Sequence, residues 1–283
     1  NIGDDEEFHG LHVSPDVDTM IYTLSNNINK LQGWGVKNDE YRALTILEKL
    51  GNDVWMSLGD SDLGLHIYRS HRLRLGHSLS DITSDIAKAF KVPAKIILPT
   101  NTLVPTMVRI AEGWISFQDY FVRRRCEPKV FELNYKNILN AEPNVDAVIS
   151  LQSADVIILA PSNPLLSLFP ILNIPKIKSA ILLNKQAPKI AVSPLIAGRA
   201  IKGPADKLLC ELGFIPDTFT ICKMYRDFLN VLIIDHQDIS SIKNREVGKI
   251  TIKAADILID STLKKINLAN FVVEMARELR LIK

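Results

Sequence analysis

Short apolar runs alternate along this chain with segments whose apolar residues recur at helical spacing, and this alternation constrains the fold more than any other feature. Several of the short runs are apolar on both faces, which is typical of parallel strands buried between helices. The sequence therefore predicts an α/β fold, doubly wound around a mostly parallel, Rossmann-like sheet. The predicted strands cover residues 54–58, 95–98, 156–159, 190–192 and 231–234.

Apolar residues at helical spacing predict four helices. Ser14 and Pro15 mark the start of the first, because a capping hydroxyl and a proline at the first helical position both favour a helix N-terminus. Asp16 and Asp18 strengthen that prediction, since acids suit the positive end of the helix dipole. The other helices are expected from about residue 38 to 51, over 79–90 and over 263–281.

The segment 106–122 departs from this rhythm. Its alternating residues around Glu112 and Gly113 predict a β-hairpin. We expect this antiparallel part to belong to a smaller subdomain over about residues 92–135, inserted in one domain that spans residues 1–283. The chain begins with Asn1 rather than Met, and we expect a natural N-terminal segment to precede it.

Charge and cysteine content exclude several classes of protein. Lysine and arginine total 34, aspartate and glutamate total 32, and the resulting net charge of +2 leaves no broad footprint for nucleic acid. No apolar run approaches the roughly 18 residues that a membrane span needs. The three cysteines form no CxxC pair, which is typical of a reducing compartment. The sequence thus predicts a cytoplasmic protein that binds neither nucleic acid nor membrane.

Small, polar or acidic loops follow the predicted strands. Ligands of open α/β sheets bind beyond the carboxyl ends of the strands, so these loops are the expected place for a site. Paired acids such as Asp4 and Asp5 suit Mg²⁺, although any single acid can instead cap a helix. The Pro-flanked loops at Ser162 and Ser193 and the basic helix start at Lys202 suit phosphate, although ordinary turns share this composition.

Longer motifs occur in one order along nearly the whole chain. They are Asn1-Ile-Gly-Asp-Asp5, Gly10-Leu-His-Val-Ser-Pro-Asp-Val-Asp-Thr19, Gly33-Trp-Gly35, Leu58-Gly-Asp60 with Asp62, His66 with Arg69, Phe117-Gln-Asp-Tyr-Phe-Val122, Pro161-Ser-Asn-Pro164, Val192-Ser-Pro194 and Lys202-Gly-Pro-Ala-Asp-Lys207. Each short motif is a weak signal, but the ordered series is specific. In this series the chain resembles the 2-phospho-L-lactate transferase family.

The resemblance implies an enzyme that joins lactate, enolpyruvate or a similar acid, activated as a guanylyl-diphospho derivative, to the ribityl hydroxyl of the deazaflavin Fo. Such a reaction releases GMP, uses Mg²⁺ and belongs to coenzyme F(420) biosynthesis. Members of the family carry a glycine-rich phosphate loop on their first strand and helix, so the resemblance implies that this chain lacks its first βα unit. The expected partners are Fo and the donor, and we also expect a homodimer.

The resemblance also assigns roles to residues of the acceptor side. Carried over by position, Asp18 matches the family's aspartate that contacts Fo, and we expect it to orient or deprotonate the attacking hydroxyl. Ser57 matches a second Fo-contacting position, where relatives usually carry Lys or Arg. Ser61 likewise replaces a basic residue, and Arg69, Lys202 or Lys207 is the expected substitute for the missing positive charge. Arg69 and Lys202 are predicted to bind the phosphate groups of the donor.

Loop position suggests the remaining roles. Asp4 and Asp5 are the predicted ligands of Mg²⁺. Ser162, Asn163 and Ser193 are predicted to hold the nucleotide and its diphosphate. The in-line attack of a hydroxyl on phosphorus needs little more than such positioning and charge neutralisation.

Two other functions compete with this one. A nucleotide-sugar-binding regulator of the gluconeogenesis-factor group shares the phosphate-loop architecture, but the segments 14–19 and 117–122 fit the transferase better. A catalytically weakened homologue that acts as a scaffold is the second, suggested by Ser57 and Ser61.

Overall fold

The computed structural model describes residues 2–242 and 247–281, and the chain divides into two compact units. The first unit comprises Asn1–Lys129 and Leu133–Ala147, and the second comprises Val130–Glu132 and Val148–Lys283. A parallel sheet flanked by helices lies in the second unit, and small antiparallel sheets complete the architecture. The predicted α/β fold with a smaller antiparallel part is confirmed.

The first half of the chain is mostly helical, with short antiparallel strands. In chain order it contains β1 (Glu6–Phe8), β2 (Leu11–Val13), α1 (Pro15–Leu24), α2 (Arg42–Lys49), α3 (Asp60–Arg74), α4 (Leu79–Ala89), β3 (Thr106–Ile110), β4 (Gly113–Ser116) and β5 (Glu132–Tyr135). Strands β1 and β2 form a hairpin, and β4, β3 and β5 form a three-stranded sheet in that order.

The second half contains the parallel sheet. Its elements are α5 (Val145–Ser153), β6 (Ile157–Leu159), α6 (Phe169–Leu172), α7 (Ile177–Leu183), β7 (Lys189–Val192), β8 (Leu195–Ile196), β9 (Arg199–Ala200), α8 (Ala205–Glu211), α9 (Thr218–Tyr225), β10 (Val231–Asp235), β11 (Thr251–Ala255) and α10 (Thr262–Leu281). Strands β6, β7, β10 and β11 lie side by side in sequence order, all parallel.

Helix α10 covers one face of this sheet. Ile190 and Val192 of β7 point to the same side as Val231 and Ile233 of β10, because side chains two residues apart share a face. The buried residues of α10 that pack on them are Leu268, Val272, Met275 and Ala276, a spacing that follows the helical period. The predicted terminal helix and the three predicted strands of this region are confirmed.

No single helix of the described chain is both long and apolar enough to cross a bilayer. The bent pair Pro164–Leu172 and Ile177–Leu183, whose parts meet at 79°, reaches that length and apolar content only jointly.

Two predicted strands are wrong. Residues 54–58 and 95–98 pair with no strand. The apolar residues of the first segment instead pack irregularly against a buried cluster that includes Phe8, Val13 and Leu44. A short apolar run indicates that a segment is buried, but it does not show whether the segment pairs with a strand. The apolar run alone therefore predicts a strand where the backbone is irregular.

Two further boundaries differ from the prediction. The second hairpin strand ends at Ser116, because Asp119–Arg123 forms a π-helical turn. Helix α2 begins at Arg42 rather than near residue 38, where Asn38 has a left-handed backbone with φ of 56°. A residue in that conformation interrupts a right-handed helix.

The N-terminus of α2 is capped by an acid from the start of α3, and the N-terminus of α3 is capped by an acid that precedes α2. Asp60 accepts hydrogen bonds from the backbone N–H groups of Arg42 and Ala43, at 3.2 and 3.0 Å. Asp39 in turn accepts from Ser61 and Asp62, at 2.8 and 3.2 Å. Asp60 therefore caps the preceding helix, α2. These exchanged caps satisfy N–H groups that a helix start leaves unpaired.

Gly59 makes the Asp39 cap sterically feasible. A Cβ atom at this position would collide with the Asp39 carboxylate, whereas a Cβ at Gly64, inside α3, would meet open space. The glycine of the Leu58-Gly-Asp60 motif is thus explained by the close approach of an acid from the preceding loop.

We expect Gly59→Ala to destabilise the protein by about 0.5–2 kcal/mol, because the added methyl group displaces the cap. Gly64→Ala is the matched control and should stabilise by about 0.5–1 kcal/mol, since alanine is the better residue in a helix interior. Urea unfolding of the two variants measures both values. Equal effects of the two substitutions would contradict the cap.

Candidate active site

Asp18 occupies the first turn of α1 and is buried, with 3% of its surface exposed. Its Oδ1 atom accepts a hydrogen bond from the guanidinium of Arg69, which is 1% exposed and lies on α3. The helix start fixes the backbone of Asp18, whose N–H donates to the carbonyl of Ser14 at 3.0 Å. The carboxylate is therefore held between two helices.

The guanidinium of Arg69 has further partners. Its Nη1 atom donates to the carbonyl oxygen of His12 at 3.3 Å and lies 3.2 Å from Nδ1 of His66. His66 is 1% exposed and sits one turn before Arg69 on α3. Nδ1 of His66 also lies 3.7 Å from Oδ2 of Asp18.

Asp62 closes the other side of this group. Its Oδ1 atom accepts a hydrogen bond of 2.5 Å from the hydroxyl of Tyr22, and its Oδ2 atom lies 3.4 Å from Nε2 of His66. We call the five residues Tyr22, Asp62, His66, Arg69 and Asp18 the Asp18 network. It joins α1 to α3 through residues that are three to seven positions apart on α3.

Burial and charge act in opposite directions within the Asp18 network. Burial raises the pKa of Asp18, while the Arg69 guanidinium opposes this effect. Burial also acts to raise the pKa of Asp62, but the contacts with His66 and Tyr22 outweigh it, so the pKa of Asp62 lies below its usual value. Burial and the neighbouring Asp62 carboxylate raise the pKa of Tyr22.

One carboxylate oxygen of Asp18 can still accept a hydrogen bond. Oδ2 is buried and makes no hydrogen bond in the described part of the chain, while Oδ1 is occupied by Arg69. Leaving a buried carboxylate oxygen without a hydrogen bond costs free energy, so such an atom marks a place where a ligand or water binds. A hydroxyl group that donates a hydrogen bond meets this requirement.

A second group of polar residues surrounds Asp4 and Asp5, which are both buried. Oδ2 of Asp5 accepts a hydrogen bond of 3.0 Å from Ser14 and lies 3.4 Å from Nε2 of His12. The Ser14 hydroxyl therefore binds Asp5 and does not cap α1, contrary to the prediction. Oδ1 of Asp5 is buried and receives no hydrogen bond from residues 2–242 or 247–281.

The acidic group fits the predicted magnesium ion. Burial raises the pKa of Asp4 well above its usual value, and repulsion from the neighbouring carboxylates of Asp16 and Asp5 adds to this effect. Mg²⁺ commonly binds one or two carboxylates and would relieve this repulsion. The unbonded oxygen of Asp5 supplies a free ligand atom for it.

The remaining predicted site residue of the first unit lies apart from these groups. Ser57 is exposed in the loop before α3, and no contact of its side chain joins it to the Asp18 network in the described structure. Its role toward Fo stays a prediction.

The predicted donor-binding loops belong to the second unit and follow strands of the parallel sheet. Ser162 and Asn163 follow β6, and Ser193 follows β7, so they lie at the carboxyl edge that such sheets use for ligands. The Ser193 hydroxyl already exchanges hydrogen bonds with the backbone of Leu195, at 3.1 Å. Lys202 is exposed before α8.

The two polar atoms of the Asn163 side chain differ in their contacts. Its Oδ1 atom accepts from the N–H groups of Leu165 and Leu166, at 2.9 and 3.2 Å, and so shapes the turn. Its Nδ2 atom is buried without a hydrogen-bond partner within the described residues. A buried N–H group without a partner is a place where a ligand or water can accept a hydrogen bond.

Comparison with known proteins decides the family. The model of the family described as 2-phospho-L-lactate transferase CofD matches residues 1–272 of the chain. The chain belongs to this family. It is therefore an enzyme of the transferase class.

Relatives within the 2-phospho-L-lactate transferase family carry two different names. A 2-phospho-L-lactate transferase of Methanopyrus kandleri is 37% identical over 84% of this chain and 77% of its own length. A phosphoenolpyruvate transferase of Mycobacterium leprae is 30% identical over 98% of this chain and 85% of its own length. The family resemblance predicted from the motifs is confirmed.

A solved structure supports the fold of this transferase. A member of the UPF0052 family from Bacillus halodurans superimposes with a TM-score of 0.50, covering 88% of this chain and 81% of its own. The two sequences are 14% identical, so the likeness concerns the fold alone.

Tyr22, Asp62 and His66 belong to the Asp18 network, but the sequence alone predicts no site role for them. Asp62 and His66 occur only within the family motifs. Arg69 is predicted to bind donor phosphate, whereas the structure buries it against Asp18. A signal was present, because Asp62, His66 and Arg69 lie at positions i, i+4 and i+7 and so share one face of α3. The partners of that face on α1 cannot be read from this spacing.

We expect Asp4→Asn to raise the melting temperature of the metal-free protein at pH 7. Folding raises the pKa of Asp4, so stability is lost as the pH rises above the pKa of an unfolded aspartate, about 3.9, toward the higher pKa of the folded chain, and the substitution removes this cost. The gain should shrink as the pH falls toward about 3, where Asp4 is protonated in both the folded and the unfolded chain. Melting curves with a chelator between about pH 3 and 8 measure it, and a lower melting temperature at pH 7 would contradict the raised pKa of Asp4.

Proposed function

We propose that this transferase moves a phospholactate or phosphoenolpyruvate-type group from a guanylyl-diphospho donor to the ribityl hydroxyl of the deazaflavin Fo. GMP is the second product, and the reaction serves coenzyme F(420) biosynthesis. The observation that carries the proposal is the buried Asp18 carboxylate, with one oxygen fixed by Arg69 and the other without a partner. The family supports transfer of a phosphorylated three-carbon acid.

The proposed step is an in-line displacement at the phosphorus that carries the acid. The Fo hydroxyl oxygen forms the new bond to phosphorus, and the bond between that phosphorus and the bridging oxygen of GMP breaks. Oδ2 of Asp18 accepts the hydroxyl proton, while Arg69 keeps Oδ1 in place. Positioning and stabilisation of negative charge supply most of the rate enhancement in phosphoryl transfers.

Mg²⁺ is the proposed cofactor, held by Asp4 and Asp5. When bound, such an ion neutralises negative charge on phosphoryl oxygens. Asp5 is oriented for this task by Ser14 and His12, which contact its other oxygen.

The donor is proposed to bind at the carboxyl edge of the parallel sheet. The Nδ2 group of Asn163 and the exposed Lys202 side chain offer hydrogen-bond donors for phosphate oxygens. Ser162 and the backbone around Ser193 complete the predicted loop set. A homodimer and a cytoplasmic location remain predictions from the sequence.

We expect Asp18→Asn to lower the rate of transfer to Fo by about 10²–10⁴-fold, the usual effect of losing a general base. The matched control is Asp81→Asn, which changes an exposed acid in the first turn of α4 and should leave the rate within about twofold. Rates are measured with Fo and guanylyl-diphospho-lactate by mass spectrometry of the products.

Stability has to be measured beside activity for this pair. Asp18→Asn leaves Arg69 buried without its anion, and breaking a buried pair costs about 3–5 kcal/mol. The rate is therefore taken per mole of folded protein, well below the melting temperature. An unchanged rate per folded Asp18→Asn molecule would remove Asp18 from the chemistry and leave it a structural ion pair.

We expect a chelator to abolish transfer and Mg²⁺ to restore it. Asp5→Asn should raise the Mg²⁺ concentration for half-maximal rate by roughly tenfold or more, since even outer partners of metal ligands have effects of that size. The rate is followed as a function of added Mg²⁺ in both proteins. Full turnover in metal-free buffer, or an unchanged Mg²⁺ dependence of Asp5→Asn, would contradict the assignment.

A further inference from the structure

The Asp18 network contains a ligand set that resembles a metal site. Asp18, Asp62 and His66 each offer one oxygen or nitrogen within 4.8 Å of the others, and two carboxylates with an imidazole suit several divalent ions. A cation is already present among them, however, because the guanidinium of Arg69 contacts both Asp18 and His66. The group is thus centred on a side-chain cation.

The contact between Arg69 and His66 fixes the tautomer of the imidazole. A guanidinium can only donate hydrogen bonds, so Nδ1 of His66, 3.2 Å from Nη1 of Arg69, must carry the lone pair. The proton of the ring then lies on Nε2. That atom lies 3.4 Å from Oδ2 of Asp62 without a hydrogen bond between them, and the nearby carboxylate favours a proton on Nε2.

Asp62 is itself held in one orientation. The Tyr22 hydroxyl donates to Oδ1 at 2.5 Å, which leaves Oδ2 for the imidazole. Hydrogen bonds join Tyr22 to Asp62 and join Arg69 to both His66 and Oδ1 of Asp18, and the 3.4 Å approach of His66 to Asp62 brings the two parts together. Within the described residues, the polar groups that face Asp18 and its guanidinium partner from α1, α3 and β2 are Tyr22, Asp62, His66 and the carbonyl of His12.

We propose that His66 is a positioning residue of the transferase: held as the Nε2–H tautomer by Asp62, it uses Nδ1 to keep the Arg69 guanidinium against Asp18. This proposal rests on the proposed role of Asp18 as the base. His66 contacts neither the attacking hydroxyl nor the phosphorus, and it acts only through Arg69. The metal-like arrangement of Asp18, Asp62 and His66 accordingly holds the Arg69 guanidinium in the place where a metal ion would bind.

A pair of variants separates positioning from packing. His66→Asn keeps an oxygen acceptor near the place of Nδ1, whereas His66→Leu has a similar size and no acceptor. We expect His66→Leu to lower kcat per folded protein by about 10–100-fold with little change in the KM for Fo, and His66→Asn to recover most of this loss. The acidic limb of the rate profile should move to higher pH in His66→Leu, because a loosened Arg69 stabilises the Asp18 anion less.

Three results would overturn the proposal. They are a wild-type kcat and pH profile in folded His66→Leu, equal losses in His66→Asn and His66→Leu, and one equivalent of Mg²⁺ or Zn²⁺ that binds in calorimetry to wild type but not to His66→Leu. The last result would mean that a metal ion, and not the Arg69 guanidinium, occupies the position between Asp18 and His66.

A measurement without turnover keeps this proposal separate from the proposed function. The ¹⁵N spectrum of the imidazole in the wild-type protein should report the Nε2–H tautomer of His66, and a proton on Nδ1 would contradict the hydrogen bond from Arg69. If the wild-type chain transferred nothing to Fo, the proposed function would fail, while the spectrum would still decide whether His66 holds Arg69.

Discussion

The first unit of this transferase depends on one buried interaction, the ion pair between Asp18 on α1 and Arg69 on α3. Removing two charges from water is costly, and the attraction between them offsets that cost only when every remaining donor and acceptor is satisfied. The carbonyl of His12 and the imidazole of His66 take up further N–H groups of Arg69. Oδ2 of Asp18 is the exception, because no hydrogen bond reaches it from the described residues, and this oxygen is the atom proposed to accept the proton of the substrate.

Other local features follow from the need to hold α1 and α3 in one relation. Asp39 and Asp60 exchange caps between α2 and α3, and Gly59 leaves room for the exchange. The backbone of Asp62 belongs to the same capped turn, and its carboxylate belongs to the Asp18 network, where it contacts Tyr22 and His66. The Leu58-Gly-Asp60 motif therefore serves the site through the backbone: it fixes the start of α3, and every network residue on α3 is placed from that start.

Sequence reasoning succeeded where a residue type has one dominant physical consequence. The β-branched runs in β6, β7 and β10 could hardly lie anywhere but in a buried sheet, and Ser14-Pro15 begins a helix whatever its hydroxyl binds. Prediction from the sequence failed where two different local structures, or two different partners, would bury the same residues equally well. Residues 54–58 are apolar because they cover Phe8, Val13 and Leu44, and the same composition suits a strand equally well. The Ser14 hydroxyl likewise had two acceptable partners, a backbone N–H of its own helix and Asp5.

The sequence by itself determined the family, three of the four parallel strands and the helices with strong periodicity, and it singled out Asp18 as a candidate, since each of these is carried by residue type, spacing or motif. Only the tertiary structure decided what Asp18 touches. Arg69 is 51 positions away along the chain and Tyr22 meets Asp62 across 40 positions, separations that no helical or strand period relates. Such pairings are set by how two helices pack, and it is that contact which turns an acid in a first helical turn into a buried carboxylate with one oxygen left to bind.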